Sequence, residues 1–209
     1  MGGITNEKAL TVLFSLLLVA ALLPFALHTA TAEGKTSGTC GDDLTWTFDE
    51  ETGTLTIEGS GIMEDYDFGC NYTPWTAYRE SIKSVVIGDQ VTSIGVGSFS
   101  DFYGMESATI GNSVTSIGDK AFYYCCLLPS FTIPADVTSI GELAFTNCYR
   151  LQQFIVDSGN NAYSAIDDVL FTYDQTKLIA FPPAKQATSY MIPSAVTSIL
   201  ERAFSIATR

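Results

Sequence analysis

Apolar side chains recur in one fixed spacing through the second half of this chain. In four successive stretches they fill the first, fourth and sixth places: Ile82, Val85 and Ile87; Met105, Ala108 and Ile110; Leu128, Phe131 and Ile133; Leu151, Phe154 and Val156. A fifth stretch repeats the set more weakly, with Ala187, Tyr190 and Ile192. A gap of three and then two predicts a strand entered through a short bend, with these side chains turned inward. Downstream, the phrase Val-Thr-Ser-Ile begins at Val91, Val114, Val137 and Val196, and Phe99, Phe122, Phe145 and Phe204 each follow five residues after its Ile. The Val, the Ile and the Phe are further inward candidates. Gly95, Gly118 and Gly141 recur in register behind the Ile, which predicts a backbone turn that disfavours a Cβ.

The first three copies start 23 residues apart, and the fourth starts 59 residues after the third, one 23-residue unit plus one of 36. A fixed period in the twenties is the mark of a solenoid, in which one coil cannot bury its apolar side alone and stacked coils bury it together. The units read 82–104, 105–127, 128–150, 151–186 and 187–209. In the atypical 36-residue unit, Ile166–Tyr173 and Leu178–Phe181 read as two strands around Asp174-Gln175-Thr176, closed by Pro182-Pro183. Insertions in such arrays often mark a binding face. The alternative is a hairpin that covers local core, because its apolar residues read as inward.

Residues 40–61 alternate with period two instead. Leu44, Trp46 and Phe48 point one way, Glu50-Glu51-Thr52-Gly53 reverses the chain, and Leu55 and Ile57 return. Such a hairpin sits where the first coil needs cover, so 33–81 reads as an amino-terminal β cap and 82–209 as the array. The fold class expected is a β-rich solenoid of 23-residue units with an amino-terminal β-hairpin cap.

Composition narrows the function. With 46% hydrophobic and 16% charged residues, the chain folds instead of remaining disordered. A formal net charge of −13 argues against nucleic acid or an anionic membrane as partner. Residues 1–32 read as a secretory signal peptide: Lys8, an apolar run from Ala9 to Leu27, and Ala30-Thr31-Ala32 as the cleavage site. An uncleaved membrane anchor is the other reading of that run. Cleavage would remove His28, the chain's single histidine. A Ser-His-Asp triad, a Cys-His pair and a histidine-based zinc site are then all excluded.

The unit Leu-x-x-Phe-x-Ile-Pro-x-x-Val-Thr-Ser-Ile-Gly-x-x-Ala-Phe-x-x-Cys is cleanest from Leu128 through Pro134 and Val137 to Cys148. It resembles the BspA-type, or Treponema-type, leucine-rich repeat. Cys40-Gly41, Leu44-Thr45-Trp46 and Pro74-Trp75 resemble the caps of its bacterial members. The resemblance implies a secreted or cell-surface leucine-rich-repeat protein engaged in adhesion or host contact, without catalytic residues. Gly97-Ser98 before Phe99, and Leu200 where other units carry Gly, depart from the pattern.

Cys40 and Cys70 bracket the cap and are the candidate disulfide of an exported chain. Cys125 and Cys148 share one place in adjacent units with Phe102 and Ala207, which reads as a packing column. Stacked strands about 4.8 Å apart would also allow a bridge between them, leaving Cys126 odd. The carboxylates of Asp42-Asp43, Asp49-Glu50-Glu51 and Glu64-Asp65-Tyr66-Asp67 lack EF-hand spacing and read as solvated turns. No metal, cofactor or enzymatic activity is expected.

The candidate partner-binding surface is the outward side of each unit's first strand. One column reads Val86, Thr109, Thr132 and Ile155, and the other Ser84, Ser107, Ser130 and Gln153. The Thr-Ser pairs at 92–93, 115–116, 138–139 and 197–198 form a second ladder, and Thr and Ser suit exposed strands structurally as well. The expected function is binding of an extracellular protein or glycan. The alternative is a structural subunit, or a fragment of a larger surface protein, that self-associates through an uncapped carboxyl-terminal end.

Overall fold

The computed structural model describes residues 36–66, 72–186 and 189–204. The signal peptide expected over 1–32, Cys70 and Ala187 lie outside these residues. The period-two segment forms β1 (Ser37–Thr39), β2 (Leu44–Asp49) and β3 (Thr54–Gly59), paired antiparallel. Leu44, Trp46, Phe48, Leu55 and Ile57 are buried, as their alternation requires. The turn between β2 and β3 forms because Asp49 Oδ1 accepts the amides of Glu51 (2.9 Å) and Thr52 (3.3 Å), while Gly53 takes a left-handed φ of 67°.

After β4 (Gly61–Ile62) and a 3-10 turn at Thr76–Tyr78, the repeating units begin. Each contributes two short strands. The first strands are β5 (Ser84–Ile87), β7 (Ser107–Thr109), β9 (Ser130–Ile133) and β11 (Gln153–Val156). The Val-Thr-Ser-Ile phrases supply β6 (Val91–Ile94), β8 (Ser116–Ile117) and β10 (Ser139–Ile140). All of these pairings between units are parallel. Ser84 lies beside Ser107, Ser93 beside Ser116, Ser116 beside Ser139 and Ser130 beside Gln153, each across 23 residues. β3 joins the first series in the same sense, setting Leu55 against Val85 and Ile57 against Ile87. This is a repeat fold of strands in mostly parallel sheets, with no α-helix among the described residues.

Between the two strand faces runs a column of aromatic rings. Trp75 stacks on Phe99 (centroids 5.7 Å, interplanar 17°), Phe99 on Phe122 (5.3 Å, 25°) and Phe122 on Phe145 (5.8 Å, 6°). Phe131 and Phe154 pack against this column from the first strands. The expected inward residues of the first three units are buried, except Ala108, Ile110 and Ile140, which are half-buried. The last unit differs. Ile192, Ile199 and Phe204 are 40%, 47% and 39% exposed, because no described coil lies against that side of them.

One local expectation holds and another is corrected. Gly95, Gly118 and Gly141 disfavour a Cβ as expected, but not through positive φ. A Cβ is excluded there because the preceding coil's backbone lies too close; on Gly118 it would sit 2.6 Å from the Val96 amide nitrogen. The left-handed corner falls two residues later, at Gly97, Lys120, Leu143 and Arg202, with φ of 63°, 53°, 59° and 58°. In the atypical unit, the run 166–173 is not one strand. Asp167 and Asp168, with φ of 46° and 66°, turn the chain between β12 (Tyr163–Ile166) and β13 (Val169–Thr172). β14 (Lys177–Ala180) completes the antiparallel meander and pairs parallel with β15 (Ser198–Ile199), so it stands in the place of a Val-Thr-Ser-Ile strand. Val169, Leu170, Phe171 and Leu178 are completely buried, so the insertion contributes core.

Candidate functional site

Successive residues of a strand face opposite sides of its sheet. Burial of Val85, Ile87, Phe131, Ile133 and Phe154 therefore turns their neighbours outward. All eight candidate residues lie on this outward face: Ser84, Val86 and Ser130 half-buried, and Ser107, Thr109, Thr132, Gln153 and Ile155 exposed. Pairing brings them together in two sets of four. Ser84 and Val86 lie beside Ser107 and Thr109, and Ser130 and Thr132 lie beside Gln153 and Ile155. The ladder is interrupted between β7 and β9, so the two sets are not joined by strand pairing. Ser107 Oγ donates to Ser84 Oγ at 3.0 Å, tying the first set across the coils.

The same columns continue onto the hairpin, which sequence reasoning missed. Thr56 lies beside Val86 and Thr47, and Thr54 beside Ser84 and Asp49. Thr45 and Thr47 are exposed, and Thr54 and Thr56 half-buried. The signal was available in Leu-Thr-Trp-Thr-Phe, since every residue between two inward apolar ones must face out. The result is a sheet face of hydroxyls and β-branched side chains. Asp49 and Glu58 are its acidic margin on the hairpin. Hydrogen bonds from Thr52, and then from Glu51, hold the Asp49 carboxyl below its ordinary range, so this carboxylate is occupied in making its turn.

The Val-Thr-Ser-Ile ladder is built differently. Thr115 Oγ1 donates to the Thr92 carbonyl (3.1 Å), Thr138 Oγ1 to that of Thr115 (3.3 Å) and Thr197 Oγ1 to that of Thr176 (3.2 Å). These hydroxyls are spent on the preceding coil. On the first-strand face, Thr109 and Thr132 are exposed.

Elsewhere, potentially reactive groups are absorbed by the fold. Cys125 and Cys148 are completely buried, and their thiols donate to the carbonyls of Phe99 (3.2 Å) and Phe122 (3.1 Å). Burial pushes the Cys125 thiol well above its usual range, which keeps it protonated and unreactive. Cys126 is half-buried, and burial raises its thiol too. Cys40 is buried, and its candidate partner Cys70 lies outside the described residues. Asp65 Oδ1 accepts the Val96 amide (2.7 Å), Asp89 Oδ1 that of Asn112 (3.1 Å) and Asp119 Oδ1 that of Glu142 (2.7 Å). Among the described residues, no three His, Cys, Asp or Glu side chains gather as a metal-ligand set.

The family described as BspA type leucine rich repeat region matches in six copies over residues 76–205. No curated protein matches. Among solved structures, a leucine-rich repeat protein from Eubacterium ventriosum is 27% identical, over 78% of this chain and 56% of that one, with a TM-score of 0.48. The pneumococcal vaccine antigen PcpA is 17% identical over 79% and 61%, with a TM-score of 0.48. A leucine rich cell surface protein from Faecalibacterium prausnitzii is 19% identical over 79% and 66%, with a TM-score of 0.40. The chain thus spans little more than half the length of the first of these.

Proposed function

The chain belongs to the BspA-type leucine-rich repeat family, and from that premise we propose that it is an exported or cell-surface binding module without catalytic chemistry. In this reading the 23-residue coils form a solenoid, the β1–β3 hairpin caps its first coil, and an extracellular protein or glycan is held along the outward first-strand face. One observation carries the assignment: outward columns of uncharged polar and β-branched residues run in register from Thr54 and Thr56 through Ser84 and Val86 to Ser107 and Thr109, and recur as Ser130 and Thr132 beside Gln153 and Ile155. Affinity would come from many weak contacts along a rigid surface, which costs little ordering entropy on binding. Export is supported by the signal pattern of residues 1–32, and the absence of histidine-dependent catalysis by the loss of His28 on cleavage of that segment.

A second reading rests on Met191 (90% exposed), Ile199 (47%) and Phe204 (39%), which present apolar surface at the last unit. A second copy, or a further apolar coil, packed there would make the protein a self-associating structural subunit. Light scattering on residues 33–209 separates the two. A monodisperse monomer supports the binding module. A concentration-dependent oligomer that Phe204→Ser dissolves supports self-association instead.

A further inference from the structure

Apart from the strand faces, four tyrosines gather where the segments that follow Phe99, Phe122 and Phe145 meet. Tyr124 makes edge-to-face contacts with Tyr103 (6.3 Å between centroids), Tyr123 (4.7 Å) and Tyr149 (5.8 Å). Tyr103 is 45% exposed, the other three are half-buried, and none belongs to the core. Packing does not demand them. The equivalent places in neighbouring coils hold Ser100 and Thr146 for Tyr123, and Asp101 and Asn147 for Tyr124.

The backbone under the rings is tied from coil to coil. Asp101 N donates to the Tyr123 carbonyl (2.8 Å), Tyr124 N to that of Thr146 (3.0 Å) and Arg150 N to that of Cys126 (3.2 Å), so backbone bonds run from coil to coil beneath the patch. Tyr103 donates its hydroxyl to Asp101 Oδ1 at 3.0 Å.

We propose that this tyrosine ridge is a second binding site, for neutral β-linked glycans of glucose configuration. In such sugars every ring substituent is equatorial, so the axial C–H bonds make flat apolar faces edged by hydroxyls. Phenol rings packed edge to face beside the Asp101 carboxylate match both features, since Tyr joins an apolar body to a polar tip. The size also fits. Tyr103 and Tyr149 share one place two coils apart, about 10 Å along the stack, which is the scale of a disaccharide. With Tyr103 45% exposed and the other three rings less exposed than it, side chains of about 150–250 Å² offer less than about 400 Å² together, short of the ~800 Å² per partner of a stable protein interface. This site is distinct from the first-strand face, and its failure would leave that reading standing.

The test is isothermal titration of residues 33–209 with cellohexaose and with chitohexaose. At least one should bind saturably. Tyr103→Ala and Tyr149→Ala should each weaken that binding about ten-fold with an unchanged melting temperature. Tyr103→Trp should preserve or strengthen it, because the ring and not the hydroxyl makes the stacking contact. Gln90→Lys, in the exposed turn between β5 and β6, should leave it unchanged. Failure of both sugars to bind would overturn the proposal. So would binding that survives Tyr103→Ala, or tyrosine variants that lose only a protein ligand.

Discussion

Trp75 Nε1 donates a buried hydrogen bond to the carbonyl oxygen of Ser98 at 3.0 Å, across 23 residues, while its ring stacks on Phe99. One side chain thus satisfies a buried acceptor and starts the aromatic column. Trp75→Phe keeps a ring but leaves the carbonyl unpaired, and should cost about 1–3 kcal/mol. Trp75→Ala should cost about 3–5 kcal/mol. Urea denaturation measures both, and a Trp75→Phe variant as stable as wild type would show that the hydrogen bond contributes nothing.

The value of one repeated residue should depend on its place in the stack. Phe122 and Phe204 occupy equivalent positions, yet Phe122 is completely buried between Phe99 and Phe145 and Phe204 is 39% exposed. Phe122→Ala should cost about 3–5 kcal/mol, and Phe204→Ala less than about 1 kcal/mol. Similar losses at both positions would mean that the last coil is covered in solution.

Gly118→Ala should destabilise by about 1–3 kcal/mol, because the added methyl meets the Val96 backbone and the coils must separate locally. The φ at this position is negative and suits alanine. A neutral result in thermal melts would therefore refute close approach as the reason for the glycine.

Stability should fall at both pH extremes, for different groups. Hydrogen bonds from the Thr172 hydroxyl, then from Thr176, hold the Asp174 carboxyl below its ordinary 3.8. A depressed carboxyl contributes stability that is complete above its unfolded value and is lost as pH falls through the folded one. Asp174→Asn should therefore flatten the acid limb below pH 3.8. Burial raises the Cys125 thiol above 9.0, so its contribution is complete below pH 9.0 and is lost as pH rises beyond it. Cys125→Ala should flatten that limb in circular-dichroism titrations of the reduced protein. In the native state a thiol reagent should label Cys126 before Cys125 or Cys148.

The inward residues of the middle units and the outward face were legible because strand alternation and a 23-residue period leave little freedom. Once Phe131 and Ile133 are inward, Ser130 and Thr132 must be outward. The split at Asp167-Asp168 was not legible, because 166–173 carries no Gly or Pro and aspartate tolerates left-handed backbone without announcing it. Lys120 and Leu143 hide the recurring left-handed corner for the same reason: the stack imposes it on residues that do not prefer it. The tyrosine ridge was missed because Tyr123 and Tyr124 have no counterpart tyrosines in neighbouring coils. Only stacking brings them beside Tyr103 and Tyr149.

The most direct test of the binding face is surface plasmon resonance with residues 33–209 immobilised and purified mucin and fibronectin as analytes. Wild type is compared with the double variant Thr109→Lys, Thr132→Lys. The account predicts saturable binding by wild type to at least one analyte, weakened about ten-fold or more in the variant, with Thr115→Lys unchanged in affinity. Binding equal in wild type and double variant, or no binding by a protein that instead self-assembles, would contradict it.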